Sequence, residues 1–186
     1  MGVTGYQSMH LMNTPRKNLL THLLGIAVLV ATALLIASVS FAQIDMVKAS
    51  MSALKDKTAK LGAPQIKGKD AVGGRDAPAL YFGNMKMNNF FDVVDEVVKE
   101  HGGTATLFVK SGEDFVRVAT NVQRADGSRA IGTVLDPSGP AYAAIKKGTA
   151  YYGDAVILGK LYVTGYEPMR DSSGAIVGIY YTGYMK

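Results

Sequence analysis

The stretch Ala150–Tyr184, AYYGDAVILGKLYVTGYEPMRDSSGAIVGIYYTGY, admits few structures. It reads as one strand followed by a hairpin of two more, turning at Asp171-Ser172-Ser173-Gly174. Alternation puts Lys160, Tyr162, Thr164 and Tyr166 on one face of a strand, with Leu161 and Val163 on the other. Seven of the ten tyrosines lie in this stretch. A tyrosine buries a large ring and keeps a hydroxyl that needs a partner. A face of Lys, Thr and Tyr therefore suits a pocket for a small polar molecule. It equally suits a half-buried sheet surface, because Tyr and Thr are good strand residues.

The chain before this stretch supplies the rest of a sheet and its helices. Ala79–Phe82 is a short strand candidate, and Asn88 or Asn89 is placed to cap a helix over Phe90–His101, stopped by Gly102-Gly103. Thr104–Lys110 and Asp114–Val122 read as strands joined by a turn short enough to force antiparallel pairing. After the Asp126-Gly127 turn, Ala130–Leu135 is short and extended. A second helix ends at Lys147, with Pro137 or Pro140 in its first turn. Helices combined with about five hairpin-connected strands specify an α+β domain on an antiparallel sheet.

Asn18–Ile44 carries no charged side chain while His22 is neutral. Arg16 and Lys17 precede this run and Asp45 follows it, the charge order of a segment whose C-terminal side is exported. At about 1.5 Å per residue the run is long enough to span a bilayer as a helix. It also closes on Ser40-Phe41-Ala42, a small-x-small pattern suited to signal-peptide cleavage. Residues 1–42 are thus a signal peptide or a membrane anchor. The protein is expected to be periplasmic, secreted, or tethered to the inner membrane by residues 19–42.

Residues 43–77 are expected to form an N-terminal helix and an irregular lead-in, and residues 78–186 the folded domain. Ile44, Val47, Met51, Leu54, Thr58 and Leu61 make one stripe on that helix. The back of the sheet in the same domain is the first candidate to cover it, and a partner chain is the second. The lead-in APQIKGKDAVGGRDAP is rich in Gly and Pro.

Several function classes are poorly supported. Beyond the apolar run lie 18 basic and 15 acidic residues, a net +3, without a basic-aromatic patch, so nucleic acid is not an expected partner. The chain has no cysteine. No His/Asp/Glu cluster has metal-ligand spacing and no Ser has a nucleophile-elbow context, so the protein is read as a non-enzyme without metal or cofactor.

From ALYFGNMKMNNFFDVVDEVVKEHGGTATLFVKSGEDFVRVATNVQRADGSRAIGTVLD onward, and above all in DFVRVATNV and GKLYVTGYEP, the chain resembles a single Cache domain. It is similar to the Cache 3/Cache 2 fusion type of the sensory regions of bacterial methyl-accepting chemotaxis proteins. The resemblance covers about Pro78–Tyr184. It implies a PAS-like five-stranded antiparallel sheet with a long N-terminal helix along it. It also implies extracytoplasmic sensing of a small molecule, often an organic acid. Chemoreceptors continue into a second membrane helix, whereas this sequence stops at Lys186. The alternatives are therefore an interaction or dimerisation module, or the sensor region of a truncated chemoreceptor. A homodimer or a membrane receptor is the candidate protein partner. The double Cache amino-acid pattern, which includes a Trp, is absent.

Arg117 lies mid-strand between Val116 and Val118, where a guanidinium needs an anion or several acceptors. The bland alternative is an ion pair with Glu167 or Asp154, or an exposed strand edge. Alternation places Ala119 and Asn121 on the face of Arg117 and Thr120 on the other. With Lys160, Tyr162, Thr164 and Tyr166, and with Tyr142 and Tyr152 (or its neighbour Tyr151) at the mouth, these residues form the candidate ligand site, suited to a carboxylate.

Overall fold

The computed structural model describes Met1 and residues 42–186. The signal or anchor assignment falls almost entirely on residues outside this range. Among the described residues, no helix is long and apolar enough to cross a membrane.

Residues 42–59 form the first helix, α1. The strands that follow are β1 (Pro64–Val72), β2 (Arg75–Phe82) and β3 (Met85–Lys86), paired antiparallel in the order β1-β2-β3. Helix α2 spans Asp92–His101, and β4 (Thr104–Ser111) and β5 (Asp114–Thr120) come next. After a loop come α3 (Pro140–Lys146), β6 (Tyr151–Ile157), β7 (Lys160–Arg170) and β8 (Ile176–Met185). Strands β4–β8 build a five-stranded sheet in the order β5-β4-β8-β7-β6, antiparallel throughout. The α+β expectation and the five strands agree with this architecture.

Both faces of the five-stranded sheet are apolar, and each is covered. On one face Leu107, Val109, Val116, Met169 and Tyr180 pack with Met51 and Leu54 of α1, Leu80 and Phe82 of β2, and Val94 and Val97 of α2. On the other, Phe108, Phe115, Tyr166, Ile179 and Tyr181 pack with Ala141 and Ile145 of α3 and Leu135 of the loop before it. The α1 stripe is thus buried on the sheet of its own chain: Val47, Met51, Leu54 and Thr58 are buried. The close approach is possible because position 165 is glycine. A Cβ there would lie 2.8 Å from the Val47 side chain and 2.7 Å from the Tyr152 ring. The Thr182 hydroxyl donates to the Val47 carbonyl (3.0 Å), and Tyr184 Oη donates to the His101 carbonyl (2.7 Å) while it meets Ser50 Oγ at 2.6 Å. These bonds pin α1 and α2 to β8.

Two expectations are corrected. The segment read as an irregular lead-in is instead strand β1 and the first half of β2, a hairpin turning at Gly73-Gly74, both at positive φ. Its Gly and Pro content obscured a strand pattern whose buried residues, Val72 and Ala77, are few and small. Neither asparagine caps α2, whose N-cap is Phe91 without a side-chain bond. Asn88 instead accepts from the Leu80 amide (2.9 Å) and donates to the Pro78 carbonyl (3.1 Å), satisfying β2 backbone groups.

Gly165→Val is expected to lower unfolding free energy by about 1–3 kcal/mol through overpacking against α1, measurable by urea denaturation of the full chain.

Candidate functional site

Strand β5 does not keep a simple alternation. Leu107 of β4 pairs with Ala119, but its neighbour Phe108 pairs with Arg117, so Val118 is inserted as a bulge. Val116, Val118 and Ala119 consequently all belong to the α1 side of the sheet. Arg117 projects to the opposite side, where its guanidinium carbon sits 4.9 Å from the centre of the Phe108 ring.

Arg117 is 4% exposed. Its Nη1 donates to Thr133 Oγ1 (2.6 Å), and Thr133 in turn donates to the Ala130 carbonyl (2.7 Å). Its Nε is buried and finds no acceptor. No carboxylate pairs with it among the described residues. Both obvious acids are engaged elsewhere: Glu167 with Lys55 (2.7 Å), and Asp154 with Lys186 (2.7 Å). Burial pushes the Arg117 pKa down, yet an arginine still holds its proton at neutral pH. Tyr166 and Tyr181, with rings 4.9 Å apart, are shifted up by burial and stay neutral. They cannot act as its counter-ion.

The loop from Ala130 to Leu135 runs along β5 as an irregular extra strand. Arg117 N donates to the Thr133 carbonyl and Gly132 N to the Arg117 carbonyl, both at 2.9 Å; Leu135 N donates to the Phe115 carbonyl, also at 2.9 Å. Arg124 Nη2 grips the Ile131 carbonyl (2.6 Å), and Arg129 forms a two-pronged ion pair with Asp95 of α2 (2.7 and 2.8 Å). The loop is therefore fixed at both ends, and with it the wall opposite β6. At Asp136 the chain turns into α3; the Asp136 carboxylate accepts from Ser138 N (2.9 Å) and Oγ (2.7 Å), which holds its pKa below the ordinary value.

Between this loop, the start of α3 and the β6–β7 hairpin lies a cavity of about 510 Å³. Arg117 and Tyr166 line it from the sheet. Val134 and Leu135 of the loop and Pro140 and Ala141 of α3 form one wall. Residues 154–159 with Leu161 form the other. The volume lies in the range of small-molecule sites, roughly 300–1,000 Å³.

Of the residues singled out from the sequence, Arg117 and Tyr166 line the cavity and the others do not. Asn121, flipped by the bulge, accepts from the Ala105 amide (2.8 Å), and Thr120 rather than Asn121 joins the Arg117 side, bonding Thr106 (2.6 Å). Tyr152 faces α1, donating to Glu167 Oε1 (2.5 Å) beneath Lys48. Tyr142 donates to the Glu113 carbonyl (2.8 Å) and lies edge-on to Phe115. Lys160 is exposed at the hairpin turn. Tyr162 and Thr164 do share the face of Tyr166, but Tyr162 is packed into the core and Thr164 donates to the Gly153 carbonyl (2.7 Å). The aliphatic walls went unassigned. The short extended segment Ala130–Leu135 was their visible signal, but its position beside β5 was not. Among the described residues no group of His, Cys, Asp or Glu could hold a metal ion.

Thr133→Val removes the fixed acceptor of a buried guanidinium and is expected to cost about 1.5–3 kcal/mol in unfolding free energy, read by chemical denaturation.

The model of the Cache 3/Cache 2 fusion domain matches residues 22–186, most of the chain. No curated protein matches the sequence.

Proposed function

Since this chain belongs to the Cache 3/Cache 2 fusion domain family, whose members are extracytoplasmic small-molecule sensory modules, we propose that it binds a small organic anion, without catalysis. The observation that carries this reading is the charge state of the cavity. A guanidinium that is 4% exposed, with an unpartnered Nε and no carboxylate beside it, lines a cavity of about 510 Å³. Burying an unpaired charge is costly, so such a group belongs where an anion arrives. A ligand carboxylate against Arg117 supplies the missing charge, and the neutral Tyr166 hydroxyl is a further donor.

The five-stranded sheet with a long helix along it supports the PAS-like description. The binding residues of this proposal are Arg117 and Tyr166; Asn121, Tyr142, Tyr152, Lys160, Tyr162 and Thr164 are packing or surface residues. The positive flank Arg16-Lys17 before the apolar run supports export, with residues 19–42 as signal or anchor. The signal would pass to a membrane receptor or a second copy of the chain.

Arg117→Met is expected to leave the fold as stable as the parent or more stable, because it removes an uncompensated buried charge while keeping much of the volume. The same variant is expected to lose ligand-induced stabilisation. In thermal-shift titrations of the full chain with small carboxylates, a ligand at 100 times its Kd adds about 2.7 kcal/mol to the parent. An Arg117→Met protein that responds to carboxylates as the parent does would overturn the assignment.

A further inference from the structure

Resting on the reading that Arg117 receives an anion, we infer that the ligand is a monocarboxylate carrying an apolar body, such as a short- to medium-chain fatty acid or an arylacetic acid, and not a di- or tricarboxylate. Three observations converge on this class.

The first is the charge lining the cavity. Arg117 is its sole cationic lining residue among the described residues, and the other charged lining groups are Asp136 and Asp154. Lys186 pairs with Asp154 at 2.7 Å, and Asp136 is held by Ser138. A second ligand carboxylate meets no free cation here and has the Asp136 carboxylate beside it, an arrangement that disfavours it.

The second is the wall. Apart from Arg117, Tyr166, the two acids and glycines, the lining is aliphatic, with Val134, Leu135, Pro140, Ala155 and Ile157 among it. A small polyacid would leave these groups without contacts and would itself lose water without replacement. An alkyl or aryl body fills the same space favourably.

The third is the mouth. Leu158, 49% exposed, lines the cavity at the tip of the β6–β7 hairpin. Leu158 and Gly159 form the two-residue β6–β7 turn, with φ values of 48° and 81°. That turn favours Asn or Asp before Gly, because both residues need positive φ. A leucine here is both strained and half in water, and neither serves the hairpin. Its side chain at the cavity mouth is explained by an apolar ligand surface that covers it.

Calorimetric titration of the full chain with acetate, butyrate, hexanoate, phenylacetate, succinate and hexan-1-ol tests the inference, with Arg117→Met as the background for partition into the solubilising medium. Affinity is expected to rise by about four-fold per added methylene from acetate to hexanoate. Succinate should bind more weakly than butyrate, and hexan-1-ol more weakly than hexanoate. Leu158→Asn suits its turn and keeps the fold; it should lower the ratio of hexanoate to acetate affinity by roughly three- to ten-fold. Affinity that is flat along the series, a preference for succinate over butyrate, or an unchanged ratio in Leu158→Asn would each sink the apolar-body inference while leaving Arg117 as an anion site. If no carboxylate in the series binds above the Arg117→Met background, the anion reading fails with it.

Discussion

The five-stranded sheet has two apolar faces, and the rest of the domain is placed by the need to cover both. A sheet face left in water forfeits the main favourable term of folding. One face is closed by α1, α2 and the β1–β2 hairpin, which together bury Met51, Leu54, Leu80, Phe82, Val94 and Val97 against it. Close approach there depends on Gly165, and polar ties from Thr182 and Tyr184 fix the helices in register. The second face has only the short helix α3 and the Ala130–Leu135 loop. Helix α3 packs toward β6 and β7 while the loop runs along β5, and a cavity remains between them. One side is thus closely packed and the other encloses a cavity.

A single inserted residue connects the fold to the chemistry. The bulge at Val118 lets Arg117 point into the open side while Val118 and Ala119 both serve the packed side. Bulges re-aim side chains next to functional sites at small structural cost. The guanidinium it delivers rests on Phe108, donates to Thr133, and has no acid beside it. The acids that could have neutralised it are held away, Glu167 by Lys55 and Tyr152 on the opposite face, and Asp154 by Lys186 at the rim. That arrangement keeps the buried charge available.

The strands of the sheet, both short helices and the α1 stripe were legible in the sequence because each rests on a local period or a turn residue: alternation in 104–110 and 160–166, the three-to-four spacing from Val47 to Thr58, and the Asp171–Gly174 turn. Strand β1 and the first half of β2 were not, since that stretch presents small or polar residues between glycines. Of the residues singled out in the sequence, Arg117 and Tyr166 line the cavity, and the chemistry of both stood out of their strands. Asn121 falls on the other face from Arg117 because face assignment by parity fails after an inserted residue. Tyr152, Tyr142 and Lys160 lie outside the cavity, and a tyrosine or lysine looks alike in sequence whether its partner is a ligand, a carbonyl or water.

By itself the sequence determined the class of the domain, its antiparallel pairing, the long helix along the sheet and the presence of a cation in an apolar strand. All of these follow from interactions between residues near one another in the chain or from a repeating pattern. Only the tertiary structure decided which face Arg117 joins, that Glu167 and Asp154 do not neutralise it, and that Val134, Leu135 and the β6–β7 hairpin wall one cavity with it. Those facts depend on strand register, on a bulge, and on elements distant in sequence meeting across the sheet, and no local pattern encodes them.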